Sequence, residues 1–283
     1  MTLRPVVHIS RGNAKLGTLP NFNLPPRSFI VEGEIPDDLG GAEVGKDGRI
    51  VTCPGATRWC RWNCYAQKGQ FTANASVIMR EYAENFMASL RPDFVDTAVA
   101  AIEKAFRRDE PRVFRLHVSG DFYSASYTRK WIEIAERLPD VHFYVYTKAW
   151  RILTEADAVK EDLGMDYHLL NLINEEIIPV LKEMNRLPNF AVLLSTDETS
   201  GPIPDDLARE FREAGIVSES PPVGSPGFRE AVRSYVQTPA FKDDFKTCPN
   251  QMGIELKVNS TGLRGKEREA LLRDLIARGE ILT

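Results

Sequence analysis

Three of the chain's four cysteines fall within twelve residues, in the run Cys53-Pro-Gly-Ala-Thr-Arg-Trp-Cys60-Arg-Trp-Asn-Cys64-Tyr-Ala66. The fourth, Cys248, stands far away in Lys246-Thr-Cys-Pro-Asn250. Thiolates are soft ligands that select zinc, copper(I) or iron–sulfur clusters. Cubane clusters take four of them, often three from one loop and one from a distance. Cys248 is the only cysteine left for that fourth place. Structural zinc sites favour short paired spacings with two intervening residues, whereas six and three residues intervene here. The pattern therefore points first to a [4Fe–4S] cluster held by Cys53, Cys60, Cys64 and Cys248. A structural zinc site is the alternative, and buried free thiols or an adventitious disulfide are the bland one.

The neighbours suit a cluster. A [4Fe–4S] core in its 2+ state with four thiolates carries a net charge of about −2, which Arg58, Arg61 and Lys68 stand close enough in sequence to offset. Trp59, Trp62 and Tyr65 could exclude water. Pro54-Gly55 frees loop backbone to aim its amides at sulfur.

Composition narrows the classes. A net charge of −4 and a pI near 5.7 argue against a protein that grips phosphate backbones without sequence preference. No stretch approaches the roughly 18 consecutive apolar residues of a membrane span, and residues 1–12 hold no apolar signal core. The expectation is a soluble cytoplasmic protein. In that reducing compartment structural disulfides are disfavoured, which leaves the thiols for a metal.

The elements that must position these residues read as alternating strands and helices. Residues 1–50 form an irregular lead-in packed on the core, broken by Pro20, Pro25, Pro26 and Pro36. Within it 28–32 reads as a short strand, and 48–52 as a strand running straight into Cys53. Apolar periodicity predicts helices over 73–90 and 92–108, then a strand at 113–118, a helix at 127–138 and a strand at 141–147. Helices follow at 152–160 and 169–184, a strand at 190–194, a helix at 203–214, and strands at 216–219 and 254–258. Such alternation predicts an α/β fold with a parallel sheet and crossover helices. About six βα units over ~230 residues suit a partial or complete TIM-barrel-like sheet. On this reading 51–260 is the cluster-binding domain and 261–283 a C-terminal helix, all in one structural domain. That helix carries Leu271, Leu272, Leu275 and Ile276 on one face and reads as packing rather than as a DNA reader.

In a barrel-like sheet, functional groups sit at the C-terminal ends of the strands. Three such tips carry polar residues: Ser119-Gly120-Asp121, Thr147-Lys148 and Ser195-Thr196-Asp197-Glu198. Asp121, Lys148 and Asp197 are the catalytic candidates, and Gly120 would let backbone approach a ligand closely. The alternative for Asp121 and Asp197 is helix N-capping at a β-to-α junction, and for Lys148 simple exposure. His117 reads as a hydrogen-bonded core histidine rather than a ligand. His8, His142 and His168 have no cysteine or histidine at ligand spacing. Neither a Walker loop, a Gly-x-Gly-x-x-Gly run, a His-Glu-x-x-His motif nor a nucleophile elbow occurs.

Several segments resemble the actinobacteriophage gene product 88 proteins: Gly12-Asn-Ala-Lys-Leu-Gly17 with Phe22-Asn-Leu-Pro25, Thr52–Cys60 ending in Cys64-Tyr-Ala66, Val113–Tyr123, and Phe143–Lys148. They are spread over residues 9–250. The resemblance implies a phage iron–sulfur protein acting in the infected host cell. It also implies a distant likeness to radical-SAM barrels, which place a three-cysteine cluster loop after their first strand and, after their second, an acidic motif that holds the ligand's amino group; Asp121 stands at that place. This chain departs from those barrels in its cysteine spacing and in offering Cys248, which would close the iron that S-adenosylmethionine needs. It departs from the gene product 88 pattern in having no cysteine after Cys248. Two classes follow. One is a cluster protein with a structural, redox or sensing role that binds a host or phage partner protein. The other is a radical-SAM-like enzyme acting on a small ligand at the strand tips.

Overall fold

The computed structural model describes residues 4–213, apart from 12–18, 31–37, 46–47, 59, 61–63, 65, 67–74, 108–111, 155–156, 158–166 and 197–199, together with residues 219–220. The expected strand at 254–258 and the helix at 266–277 lie outside the described residues.

The chain opens with β1 (Ser10–Arg11), β2 (Pro20–Phe22), β3 (Ser28–Ile30) and β4 (Arg49–Val51). Then come helices α1 (Ala75–Ser89) and α2 (Phe94–Ala105), strand β5 (Val113–Leu116), helix α3 (Ala125–Arg137) and strand β6 (His142–Thr147). Helix α4 (Tyr167–Met184), strand β7 (Phe190–Ser195), helix α5 (Asp205–Glu213) and strand β8 (Glu219–Ser220) are the last elements among the described residues. Strands β5 to β7 are short runs of aromatic and branched residues with almost every position buried, the pattern of parallel strands covered on both faces.

Six strands form one sheet in the order β1-β2-β5-β6-β7-β8; β1 is antiparallel at one edge and the rest are parallel. β3 and β4 pair separately, with Phe29 opposite Ile50. From β5 to β8 each strand lies beside its successor, so right-handed crossovers put α3, α4 and α5 on a single face. Accordingly α2 packs on α3, and α3 on α4. The core fills the space between helices and sheet. Phe114, Phe143 and Phe190 stand in register across β5, β6 and β7, with ring centroids 5.5 Å apart at each step. Trp131 of α3, fully buried, meets Phe22, Phe94 and Phe114.

Most expected elements appear with ends shifted by a few residues. The lead-in is the clear correction. Residues 20–22 are a buried strand inside the sheet, pairing Asn21 with Arg115 and Phe22 with Leu116. Pro20 hid it from the sequence: proline is disfavoured within sheets but tolerated as a strand's first residue. The helix expected at 152–160 is not formed at 151–154, where Leu153 bonds Asn171 of α4 through both N–H and C=O instead. The described sheet is a row of six strands, a mixed α/β fold with a mostly parallel sheet. No described helix is long and apolar enough to cross a membrane.

Candidate metal centre at the C-terminal edge of the sheet

β4 ends at Val51 and delivers Thr52 and Cys53 to the C-terminal ends of β5 and β6. The delivery is fixed by Arg27, whose carbonyl accepts from the backbone N–H of Thr52 (2.9 Å) and of Cys53 (3.2 Å). The Thr52 hydroxyl donates to the Pro25 carbonyl. Arg27 holds a φ of +65°, a strained conformation for a residue with a side chain. In it, the Arg27 N–H donates to Cys53 Sγ at 3.3 Å. An amide aimed at a sulfur is the kind of outer contact that tunes a thiolate centre.

The loop then turns, with Ala56 N–H bonded to the Cys53 carbonyl and Cys60 N–H to the Thr57 hydroxyl at 2.8 Å. At Gly55 its backbone lies directly on the chain after β6. A methyl group there would overlap the Lys148 carbonyl, so only glycine permits the approach. Cys53, Cys60 and Cys64 are all half-buried, and none of them is in a disulfide.

Asp121 fastens this loop to the sheet. Its N–H donates to the Thr52 carbonyl at 3.0 Å. One carboxylate oxygen accepts from the Thr147 hydroxyl (2.6 Å) and Phe122 N–H (2.8 Å), and the other from Lys148 N–H (2.9 Å). Burial pushes its pKa up to about 6, against the pull of those donors and of the Lys148 charge. The helix it was expected to cap is capped by Ser124, which accepts from Tyr127 N–H. Asp121 is thus not the cap of that helix, and both of its oxygens accept hydrogen bonds within the protein.

Lys148 is half-buried, and its ammonium donates to Ser195 Oγ at 3.0 Å, spanning the tips of β6 and β7. Gly120 has a φ of +79° and sits against Leu24, so the close approach it allows is to the chain leaving β2 rather than to a ligand. His117 is buried and bonded to the Tyr127 hydroxyl at 2.8 Å. It lies just beyond the shorter strand β5, with a φ of +56°. Burial, and then the Arg115 charge, lower its pKa to about 3, as for a neutral core histidine. Cys248, Asp197, Trp59, Arg61, Trp62, Tyr65 and Lys68 lie outside the described residues.

Sequence reasoning missed Arg27, whose contribution is backbone alone and leaves no signature in residue type. It also missed Arg151, which reaches the Gly55 carbonyl from beyond β6.

Thiols are the donor type that a soft metal takes when deprotonated. The Cys53 thiol is pushed well above its usual range by burial first, and then by the charges of Asp121, Cys60 and Cys64. Acidic groups that oppose one another's ionisation in a buried place are the arrangement that a cationic centre would reverse. Among the described residues, no three His, Cys, Asp or Glu side chains converge as around a single metal ion.

A mostly parallel α/β sheet with a three-cysteine loop docked at the C-terminal ends of its strands is the class of protein that fold and site define. The family model for Gene product 88 matches residues 8–271, and the chain belongs to that family. It is 28% identical to the Gene 88 protein of Mycobacterium phage L5 over 222 residues, 74% of this chain and 69% of that protein. The Gene 88 protein of Mycobacterium phage D29 is 26% identical over 152 residues, covering 50% of this chain and 53% of its own length. No solved structure matches.

Proposed function

We propose that this is a phage iron–sulfur protein that holds one [4Fe–4S] cluster through Cys53, Cys60, Cys64 and Cys248, in a structural, redox or sensing role. The observation that carries the reading is the half-buried Cys53 thiol, which feels the charges of Asp121, Cys60 and Cys64 and accepts from the Arg27 amide at its sulfur. When bound, such a cluster would supply one-electron redox chemistry or a rigid cross-link between the loop and the distant Cys248 segment. The chain's own part would be to shield Cys53 partly from solvent, to donate the Arg27 N–H to its sulfur and to hold the loop on β6 through Asp121 and Gly55. A fourth thiolate closes the iron that S-adenosylmethionine would need, which favours binding of a host or phage partner protein in the infected cell's cytoplasm over radical chemistry.

A second reading is a radical-SAM-like enzyme on a partial barrel, acting on a small ligand. It is favoured by two observations: the unreversed strand order β5-β6-β7-β8, and the Lys148–Ser195 contact across adjacent strand tips.

Iron and acid-labile sulfide in anaerobically purified protein, wild type beside Cys248→Ala, decide between them. About four of each per chain, lost in the variant, are expected of the closed four-cysteine cluster. Retention in the variant would favour the enzyme reading. Zinc without sulfide would overturn both in favour of a structural zinc site.

A further inference from the structure

Arg151 and Asp157 form an ion pair at 3.2 Å that is almost wholly inaccessible, with side chains 4% and 6% exposed. A buried pair of this kind is a weak source of stability, since an apolar pair of the same volume often does as well. Its value lies in what else the guanidinium reaches. Arg151 Nη1 donates to the Gly55 carbonyl at 3.4 Å, and Nε donates to the Ser200 carbonyl at 3.1 Å. The first carbonyl belongs to the cysteine loop and the second to the chain between β7 and α5. Only the fixed fork of an arginine can serve two carbonyls and a carboxylate at once.

The bracket around it is stiff. Arg151 N–H donates to the Lys148 carbonyl, the atom against which Gly55 packs. The Arg151 carbonyl accepts from Asn174 of α4 at 2.8 Å. Asp157 is held in turn by the N–H and hydroxyl of Thr154.

We propose that Arg151 is the positioning residue of the cysteine loop, tying the Gly55 carbonyl to the β7–α5 segment and so setting where Cys53 stands over the tips of β5 and β6. This rests on the metal-centre reading for its purpose, though not for its test.

Two variants test it. Arg151→Lys keeps a positive charge beside Asp157 but cannot reach both carbonyls. Arg151→Met combined with Asp157→Leu removes the pair together and leaves no unpaired buried charge. In metal-free protein, iodoacetamide labelling is followed at each cysteine by mass spectrometry, well below the melting temperature. Cys53 is expected to label roughly tenfold faster in both variants, the factor for loss of one buried hydrogen bond, with Cys248 unchanged. Loaded protein should also lose iron to a chelator faster in step with Cys53 labelling. Wild-type labelling at Cys53 in either folded variant would overturn the proposal. So would an equal rise at all four cysteines, which reports general loosening. If wild type holds neither iron nor sulfide, the cluster reading fails while the labelling still decides the role of Arg151.

Discussion

The two ends of the parallel sheet are both rich in buried polar bonds, but the bonds differ in kind. At the N-terminal end Asn189 donates to the carbonyls of Ala135, Leu138 and Val141 at 3.0, 3.0 and 3.1 Å, closing the end of α3 onto the start of β6. The charges nearby, Arg112 with Asp140 and Glu103, are partly or fully open to solvent. At the C-terminal end the buried groups are Asp121, Arg151 and Asp157, beside three half-buried thiols. Burying a neutral amide that is fully bonded costs little, whereas burying charge costs several kcal/mol unless each group is paired. The fold accepts that cost for Asp121, Arg151 and Asp157 at the end where parallel α/β proteins keep their chemistry, and also for Arg115 within β5 and Glu84 of α1. The N-terminal end closes helix onto strand with neutral bonds, and the C-terminal end holds the cysteine loop in place with charged ones.

The sharpest way to break this contrast is Gly55→Ala. Its added carbon would overlap the Lys148 carbonyl, which is backbone and cannot move aside cheaply. The loop should leave its seat, and Cys53 in metal-free protein should label with iodoacetamide on the order of a hundredfold faster or more, as when several local bonds open together. A Gly55→Ala protein with wild-type labelling at Cys53 would mean that the loop does not depend on its contact with β6.

His117 sharpens the comparison through pH. Its pKa falls from 6.5 to about 3 on burial, so between those values the unfolded chain binds a proton that the folded chain does not. Stability therefore rises with pH across that window: it is fully present above 6.5 and is lost as pH falls toward 3. The whole window corresponds to about 5 kcal/mol. Urea titrations of wild type and His117→Gln should give stabilities that diverge in the variant's favour as pH drops from 6.5. Parallel curves would show that the imidazole already accepts a proton in the folded state.

Much of this arrangement was legible in the sequence, and the failures have physical causes. Alternation of apolar runs marked β5 to β7, because strands buried on both faces leave unbroken hydrophobic stretches. Pro20–Phe22 was not legible as a strand, since three residues headed by proline carry no periodicity. Asp121 and Lys148 were correctly placed at strand tips, but their engagement was hidden. Whether a carboxylate faces a ligand or three donors of its own protein depends on contacts 26 and 27 residues away in sequence. Arg27 and Arg151 act through hydrogen bonds to and from backbone, and backbone partners leave no trace in residue type.

The smallest effect belongs to the N-terminal end. Asn189→Ala removes an amide that serves three buried carbonyls, of which those of Ala135 and Leu138 keep a backbone donor, and should destabilise the protein by about 1–2 kcal/mol. Asn189 is 5% exposed, so water cannot readily replace the amide. The same variant should leave Cys53 labelling in the folded protein at the wild-type rate, because every bond of Asn189 ends on α3, β6 or the turn between them. The measurement pairs a urea midpoint with the labelling rate. A lower midpoint with unaltered labelling would place stability and loop geometry at opposite ends of the sheet. A faster Cys53 rate would mean that the core transmits strain along the strands of β6 and β7, and that the two ends are one mechanical unit rather than two.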